Sequence, residues 1–384
     1  MAALKMKADW KELPRELLHL ISQRIDTEID LIRFRSVCSH WRSSSIQNHH
    51  LDILPFEVPI LKFPLDIEFY NNNNEGIPIS FCHLSKSSFF LIKPTQEQER
   101  QTRINLRPWL IKTTQTSNGV PKLSQFELLS FDFPFDVLDF NKLSVFHLGC
   151  QFLVEEDSKP SSSDFVLPEA VVVLTCNGKK PLALTKKKYS PPFMLLLRCS
   201  DEKLFLFLED FSDYVDYICV FKQRIYAAVD GTGKTITIGP EENQNVELVA
   251  EPLVDHGNIR FLVESEGDLL LVDISDHDLT VDVFRLDEKE RKWVKIKNLG
   301  DRVLFIGLEY SFSASASDLC VSEGNCIIFI DDVFFYDHTD TDTEHIMTIF
   351  FMGQDGQLWP LSDYPEYYNL FWPPPEWIVK SHSH

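Results

Sequence analysis

Between Ile218 and Asp331 the chain breaks into eight apolar runs of four to seven residues: "ICVF", "IYAAV", "TITIG", "IRFLVES", "DLLLVDI", "TVDVFRL", "KWVKIK" and "NCIIFID". The segments between them include "DGTGK", "SEGD", "DEKER" and "SEGN", rich in the residues that reverse a chain. Runs this short, rich in β-branched and aromatic residues, are strands. Connections this tight leave no room for the helical crossover that a parallel pair requires, so the expected pairing is antiparallel. Several small antiparallel sheets in a body of this length point to a β-propeller, with a β-sandwich as the alternative. No clean repeat of propeller period is present, which leaves the number of blades open.

One stretch invites a different reading. "AAVDGTGKTITIG" contains A-x-x-x-x-G-K-T from Ala228 to Thr235, and "LLLVD" follows at Leu269 to Asp273, so together they imitate a nucleotide-binding loop and its magnesium-binding aspartate. A phosphate loop works because its turn feeds directly into a helix, whose free N–H groups face the anion. Here Lys234 leads into "TITIGP", an alternating β-branched strand that stops at Gly-Pro. The expected structure is a hairpin turn, and nucleotide hydrolysis is set aside.

Charge narrows the partners. The net charge is −21, yet residues 1–50 carry eight Lys/Arg against six Asp/Glu, a balance of +2 that leaves −23 on the remainder. A body so acidic repels phosphate backbones, so neither nucleic acid nor an anionic membrane is expected as partner, and a basic protein surface suits it better. Composition is that of a soluble globular chain, with 30 phenylalanines to fill a core. The N-terminus lacks a long apolar segment, so no secretory signal is expected, and no run reaches membrane-spanning length. The eight cysteines are scattered without a C-x-x-C pair, as befits reduced thiols in the nucleus and/or cytoplasm.

Residues 10–46 are the one region of sustained helical periodicity. "LPRELLHLISQRI" sets Leu13, Leu17, Leu20 and Ile21 on one face, with Pro14 placed for a first helical turn. After Asp30, a second stripe runs through Leu31, Phe34, Cys38 and Trp41. Three short helices cannot enclose much core, so such a module needs another surface to cover its apolar faces. Phe34 and Trp41 are the expected internal residues.

The segment "WKELPRELLHLISQRIDTEIDLIRFRSVCSHWRSS" resembles an F-box. The resemblance rests on Leu13-Pro14, Glu16-Leu17-Leu18, Ile21, Asp30-Leu31, Phe34-Arg35, Val37-Cys38 and Trp41-Arg42. Downstream, "RPWLIK" (107–112), "GDLLLV" (267–272), "VFRLDEKERKWVKIKNLGDRVLFIG" (283–307), "GNCIIFIDD" (324–332) and "WPPPEWI" (372–378) are similar to plant F-box proteins of the SKIP-type group. That resemblance implies a mainly β protein with a tail at 1–8, a three-helix F-box at 9–50, linker and first strands at 51–75, and a propeller-like target-binding domain at 76–384. It implies a non-catalytic substrate receptor of an SCF-type ubiquitin ligase, bound to a Skp-type adaptor and through it to a cullin, with an unidentified protein target. Leu13, Pro14, Leu17, Leu18, Ile21, Leu31, Val37 and Trp41 are the implied adaptor-binding positions. The alternative is an F-box scaffold that binds the adaptor without delivering targets for ubiquitination.

The remaining constellations are weaker. "DHTDTDTEH" (337–345) gathers His338, Asp340, Asp342, Glu344 and His345, but lacks the glycine and closing glutamate of a calcium loop, so it reads as a solvated acidic loop. "TKKKY" (185–189) reads as a basic turn and "CVSEGNC" (320–326) as two inert thiols. Loops are expected at 71–76 and 155–164, and a linker at His49-His50. No cofactor, metal or catalytic residue is expected.

Overall fold

A computed structural model describes residues 13–22, 34, 37–45, 60–64, 79–94, 106–116, 121–124, 126, 143–155, 170–174, 182–187, 193–198, 204–207, 215–229, 232–239, 246–253, 257, 259–275, 280–308, 310–330, 347–353 and 357–381. Two helices, α1 (Arg15–Ser22) and α2 (Ser39–Ser44), precede a body of strands. The segments 71–76, 156–164 and 337–345, together with His49-His50, lie outside the described residues.

The strands form four hydrogen-bonded sheets arranged as a β-propeller. The first sheet comprises β1 (Ile60–Pro64), β2 (Ile79–Lys93), β3 (Trp109–Gln115), β4 (Pro121–Ser124), β5 (Ser144–Val154), β6 (Ala170–Leu174), β7 (Leu182–Lys187), β8 (Phe193–Arg198) and β9 (Leu204–Phe207). Its order is β4-β3-β2-β5-β6-β7-β8-β9, with β1 paired to β2. It is two runs joined at one point: β5 meets β6 through the pair Phe152↔Val171. Within "TKKKY", Thr185 to Lys187 continue β7 and form no turn, and Lys188 and Tyr189 lie outside the described residues.

The second sheet is β10 (Val215–Phe221), β11 (Arg224–Val229), β12 (Lys234–Ile238) and β13 (Val246–Ala250) in simple order. The third repeats the plan with β14 (Ile259–Ser265), β15 (Asp268–Ser275), β16 (Thr280–Asp287) and β17 (Lys292–Ile296). Hairpin chemistry explains these meanders. Glu266 and Gly267 join β14 to β15 with φ of 53° and 81°, and Lys222 and Gln223 join β10 to β11 with φ of 46° and 58°. Two positive-φ residues match the twist of the flanking strands, which fixes the register of both pairs.

The fourth sheet departs from the all-antiparallel expectation. After β18 (Arg302–Ile306) and β19 (Ser311–Ser315), the short helix α3 (Ala316–Leu319) carries the chain across to β20 (Cys326–Phe329). β20 lies parallel to β18, with Val303↔Cys326 through Ile306↔Phe329 in register. β21 (Thr348–Phe351) and β22 (Leu358–Pro360) complete the order β19-β18-β20-β21-β22. Gly324 sits in the crossover because a Cβ there would stand 2.5 Å from the Asp301 carbonyl carbon. Cys320 and Cys326 therefore flank a crossover and not a hairpin; both are free, Cys320 exposed and Cys326 buried.

Each sheet buries its faces on its neighbours. Ile218, Ile225, Ile236 and Ile238 of the second sheet pack on Leu182, Leu184 and Leu196 of the first. A continuous core then joins the second, third and fourth sheets through Tyr217, Phe261, Leu271, Phe284, Ile306 and Phe329. Ring closure comes from Phe89 and Leu91 of β2, which meet Phe305, Tyr310 and Phe312 of the fourth sheet; Phe89 stacks on Tyr310 with centroids 4.3 Å apart.

The C-terminal segment, which holds α4 (Pro365–Tyr368) and α5 (Glu376–Ser381), returns to β3. Trp109, fully buried, donates its indole N–H to the Phe371 carbonyl at 2.9 Å, and Leu110 N donates to Leu370 O at 2.7 Å. The Arg107 guanidinium reaches the Asn369 and Pro373 carbonyls, and Trp377 donates to the Arg107 carbonyl at 3.0 Å. "RPWLIK" and "WPPPEWI", far apart in sequence, are thus one latch.

The nucleotide-loop imitation resolves in the same framework. Lys234 pairs with Val229 at the start of β12, in a different sheet from Asp273. Gly233, with φ of 77°, offers its carbonyl to the Trp293 indole at 2.9 Å. Asp273 binds Arg260 across the β14–β15 pair at 2.9 Å, with both side chains at most 3% exposed, and accepts from Gly257 N at 2.8 Å. It is a structural counter-ion.

Two substitutions test these contacts. Asp273→Asn strands a buried guanidinium and should cost about 3–5 kcal/mol of unfolding free energy by chemical denaturation. Trp109→Phe leaves the Phe371 carbonyl without its donor, and should cost about 1–3 kcal/mol beyond the lost ring volume.

Candidate functional site

Helix α1 starts where Pro14 ends the extended chain, its carbonyl accepting from both Leu17 N and Leu18 N at 3.1 Å. Glu16 in the first turn suits the positive pole of the helix. Of the eight residues, Leu18 and Ser22 turn inward and are fully buried. Leu17, Leu20 and Ile21, spaced three and four apart, form the opposite face and are 47%, 52% and 41% exposed. The helix is apolar on both sides, and one of those sides is about half open to solvent.

Helix α2 holds α1 in place. His40 Nε2 donates to the Leu13 carbonyl at 3.0 Å, and the Cys38 sulfur caps the helix by accepting from Trp41 N at 3.5 Å. Phe34 is buried and its ring stands 4.6 Å from that of Trp41. Val37, just before the cap, is 53% exposed.

The expected adaptor-binding residues therefore divide. Pro14, Leu17, Ile21 and Val37 are exposed, while Leu13 and Trp41 are half-buried, Trp41 by its packing on Phe34. Leu18 is corrected: it belongs to the module's own interior, because the helical turn that exposes Leu17 and Ile21 points Leu18 the other way. Leu31 lies outside the described residues. Leu20, part of the stripe but absent from the expected set, joins the exposed face; its spacing to Leu17 was the available signal. Fully burying a side chain of this size contributes roughly 1.5–3 kcal/mol, so four of them make a strong site for a covering protein.

The second feature is the central channel, a cavity of about 640 Å³. It is lined by the inner strands β5, β6, β10, β14 and β19, and its walls differ. Val171, Val173, Ile218 and Val220 form an apolar side; Lys86, Gln151, Glu264, Glu266, Arg302 and Ser313 face it as a polar side. Arg302 is held on three sides, by Ser265 Oγ at 3.2 Å, Ser313 Oγ at 2.6 Å and Glu266 at 3.7 Å. Ser311 and Ser313 donate to the Leu262 and Glu264 carbonyls, which stitches β19 to β14.

Two channel groups have displaced acidities. Burial, and then the charge of Glu264, push the Cys219 thiol far above its ordinary range, where it is no nucleophile at neutral pH. The His147 ring opens onto the channel yet is surrounded by protein; desolvation, with the charge of Lys86 second, lowers its pKa from 6.5 to about 4. Among the described residues, no three His, Cys, Asp or Glu side chains stand together in a way that could hold a metal ion.

The His147 shift carries a testable sign. Between about pH 6.5 and 4 the unfolded chain takes up a proton that folded His147 refuses, so native stability declines as pH falls through that window. His147→Asn should make the melting temperature less sensitive to pH across that interval, while leaving the slope above it unchanged.

With both features in view, the sequence comparisons are specific. The F-box domain profile matches residues 10–49, and the KIB1-4 beta-propeller profile matches residues 69–350. The F-box protein SKIP23 of Arabidopsis thaliana is 30% identical over 98% of this chain and 96% of its own length. An F-box/kelch-repeat protein of the same plant is 27% identical over 85% of each chain. The helical pair lies within the F-box match and most of the strands within the propeller match, and the chain belongs to the plant F-box proteins that carry a KIB1-4 beta-propeller.

Proposed function

We propose that this protein is the substrate receptor of an SCF-type ubiquitin ligase, which docks on a Skp-type adaptor, and through it a cullin, by its helical module and holds a protein target on its propeller. The observation that carries the reading is the uncovered face of α1: Leu17, Leu20 and Ile21, with Val37 beyond the turn, remain open to solvent although the module has a buried interior of its own. Interfaces draw most of their energy from a few apolar residues near the centre, and this cluster has that composition. Its position in the part of the chain with a positive balance, ahead of a body at −23, separates the docking end from the acidic target-holding end.

The mechanism is positional. A receptor that grips adaptor and target together raises the effective concentration of a target lysine near the ubiquitin-charged enzyme and needs no bond chemistry of its own. The acidic body favours a target with a basic surface.

Co-purification with a Skp-type adaptor tests the reading. Because Leu17 and Ile21 are exposed, Leu17→Asp/Ile21→Asp should leave the melting temperature unchanged and weaken adaptor binding by about thirtyfold or more, the loss expected of central interface residues. Adaptor binding that ignores this change would remove the α1 face from the interface. Target lifetime then separates receptor from scaffold: a bound partner whose half-life is the same with and without the double substitution identifies a scaffold.

A further inference from the structure

The exposed apolar cluster of the helical module is built from two separate segments. Leu17, Leu20 and Ile21 come from α1, whereas Val37 stands just ahead of α2. A surface made of two segments keeps one shape only if the segments are fixed relative to each other. Burial gives little help in so small a module: among the described residues from 13 to 45, Leu18 and Phe34 are the buried hydrophobic side chains.

A directional contact joins them. His40, half-buried in the first turn of α2 and three residues after Val37, donates from Nε2 to the Leu13 carbonyl at 3.0 Å, across a separation of 27 residues. The acceptor is one that α1 itself does not use. The helix takes its first hydrogen bonds from the Pro14 carbonyl, which accepts from Leu17 N and Leu18 N, so the Leu13 carbonyl lies one residue ahead of the ladder. The proline that follows restricts Leu13 to extended backbone, which narrows the directions in which its carbonyl can point. Neighbouring residues of α2 thus serve as two anchors. Trp41 packs its ring on Phe34, 4.6 Å away, and holds α2 to the segment before it; His40 holds α2 to the head of α1.

We infer, building on the receptor reading, that His40 is the positioning residue of the adaptor-docking face: its bond to Leu13 sets Leu17, Leu20 and Ile21 in place relative to Val37. Its action is through the backbone of Leu13-Pro14, and the apolar cluster meets the adaptor.

Titration of full-length chains with a purified Skp-type adaptor tests it. His40→Phe keeps a ring and loses the donor, His40→Gln keeps an N–H donor with the reach of Nε2, and His40→Asn keeps an amide that falls short. Amide hydrogen exchange over residues 13–45 reports whether each chain retains a folded module. His40→Phe and His40→Asn should weaken adaptor binding about threefold to tenfold, the scale of one hydrogen bond, while His40→Gln stays within about twofold of the natural chain. A merely structural contact would alter exchange or the melting temperature and leave the affinity of the folded chain as it was. Natural affinity in a folded His40→Phe chain therefore overturns the inference, as does a His40→Gln chain that binds no better than His40→Asn. Should His40→Phe lose the module's protection, the comparison of His40→Gln with His40→Asn decides alone. The two readings fail distinguishably. A natural chain that binds no Skp-type adaptor removes both, whereas binding that responds to Leu17→Asp/Ile21→Asp and ignores His40→Phe removes this one alone.

Discussion

A ring of sheets is stable only if it closes, because an open ring leaves the outer faces of its first and last sheets in water. Here closure depends on β2 and β3. One face of this pair meets the fourth sheet through Phe89 and Leu91; on the other face, Phe90, Ile92 and Trp109 lie beneath Trp377 and Ile378 of α5. The last stretch of chain therefore covers the first sheet, and its carbonyls at Asn369, Leu370, Phe371 and Pro373 find donors in Arg107, Trp109 and Leu110. Hydrogen bonds on buried carbonyls are costly to lose, so the latch is specific as well as apolar.

Closure also makes the channel. The inner strands cannot pack side chain to side chain around a full circle, and the space they leave is walled by whatever each strand turns inward. From β19 these are serines, spent on the β14 carbonyls; from β14 they are Leu262 and Glu264, with Glu266 following in the turn. A carboxylate after the apolar core of "IRFLVES" was visible, but alternation alone says only that Glu264 avoids the core. Which strand it would confront depended on the ring. The same holds for Asp273, which in sequence ends a magnesium-site imitation and in space neutralises Arg260, the residue directly opposite on the neighbouring strand.

The third sheet was the most legible, since β14 to β17 each have strong alternation or β-branched runs and are joined by glycine or acidic turns. β13, β18 and β19 are not among the strands expected from the sequence. "VELVA" and "RVLFI" are five-residue runs each carrying a charged residue, and "SFSAS" has the right period but residues of low strand preference. Its Phe312 and Ala314 are buried because β19 is an inner strand between two sheets. The parallel β18–β20 pair was illegible for a related reason: five residues of hairpin spacing between Val321 and Asn325 are in fact the end of a crossover that leaves β19 at Ala316.

By itself, the sequence determined the class of each region: helical periodicity at the front, short strands behind, an acidic body, and a glycine turn in which Lys234 opens a strand and so cannot cradle phosphate. These follow from local preferences and from charge, which act over a few residues or are simple sums. Only the tertiary structure decided that Leu18 is internal while Leu20 is exposed, that Arg107 and Trp377 form one latch, and that Gln151 and Glu264 face a common channel. Burial and partnership are relations between segments far apart in the chain, and no local pattern specifies which surface another segment will cover.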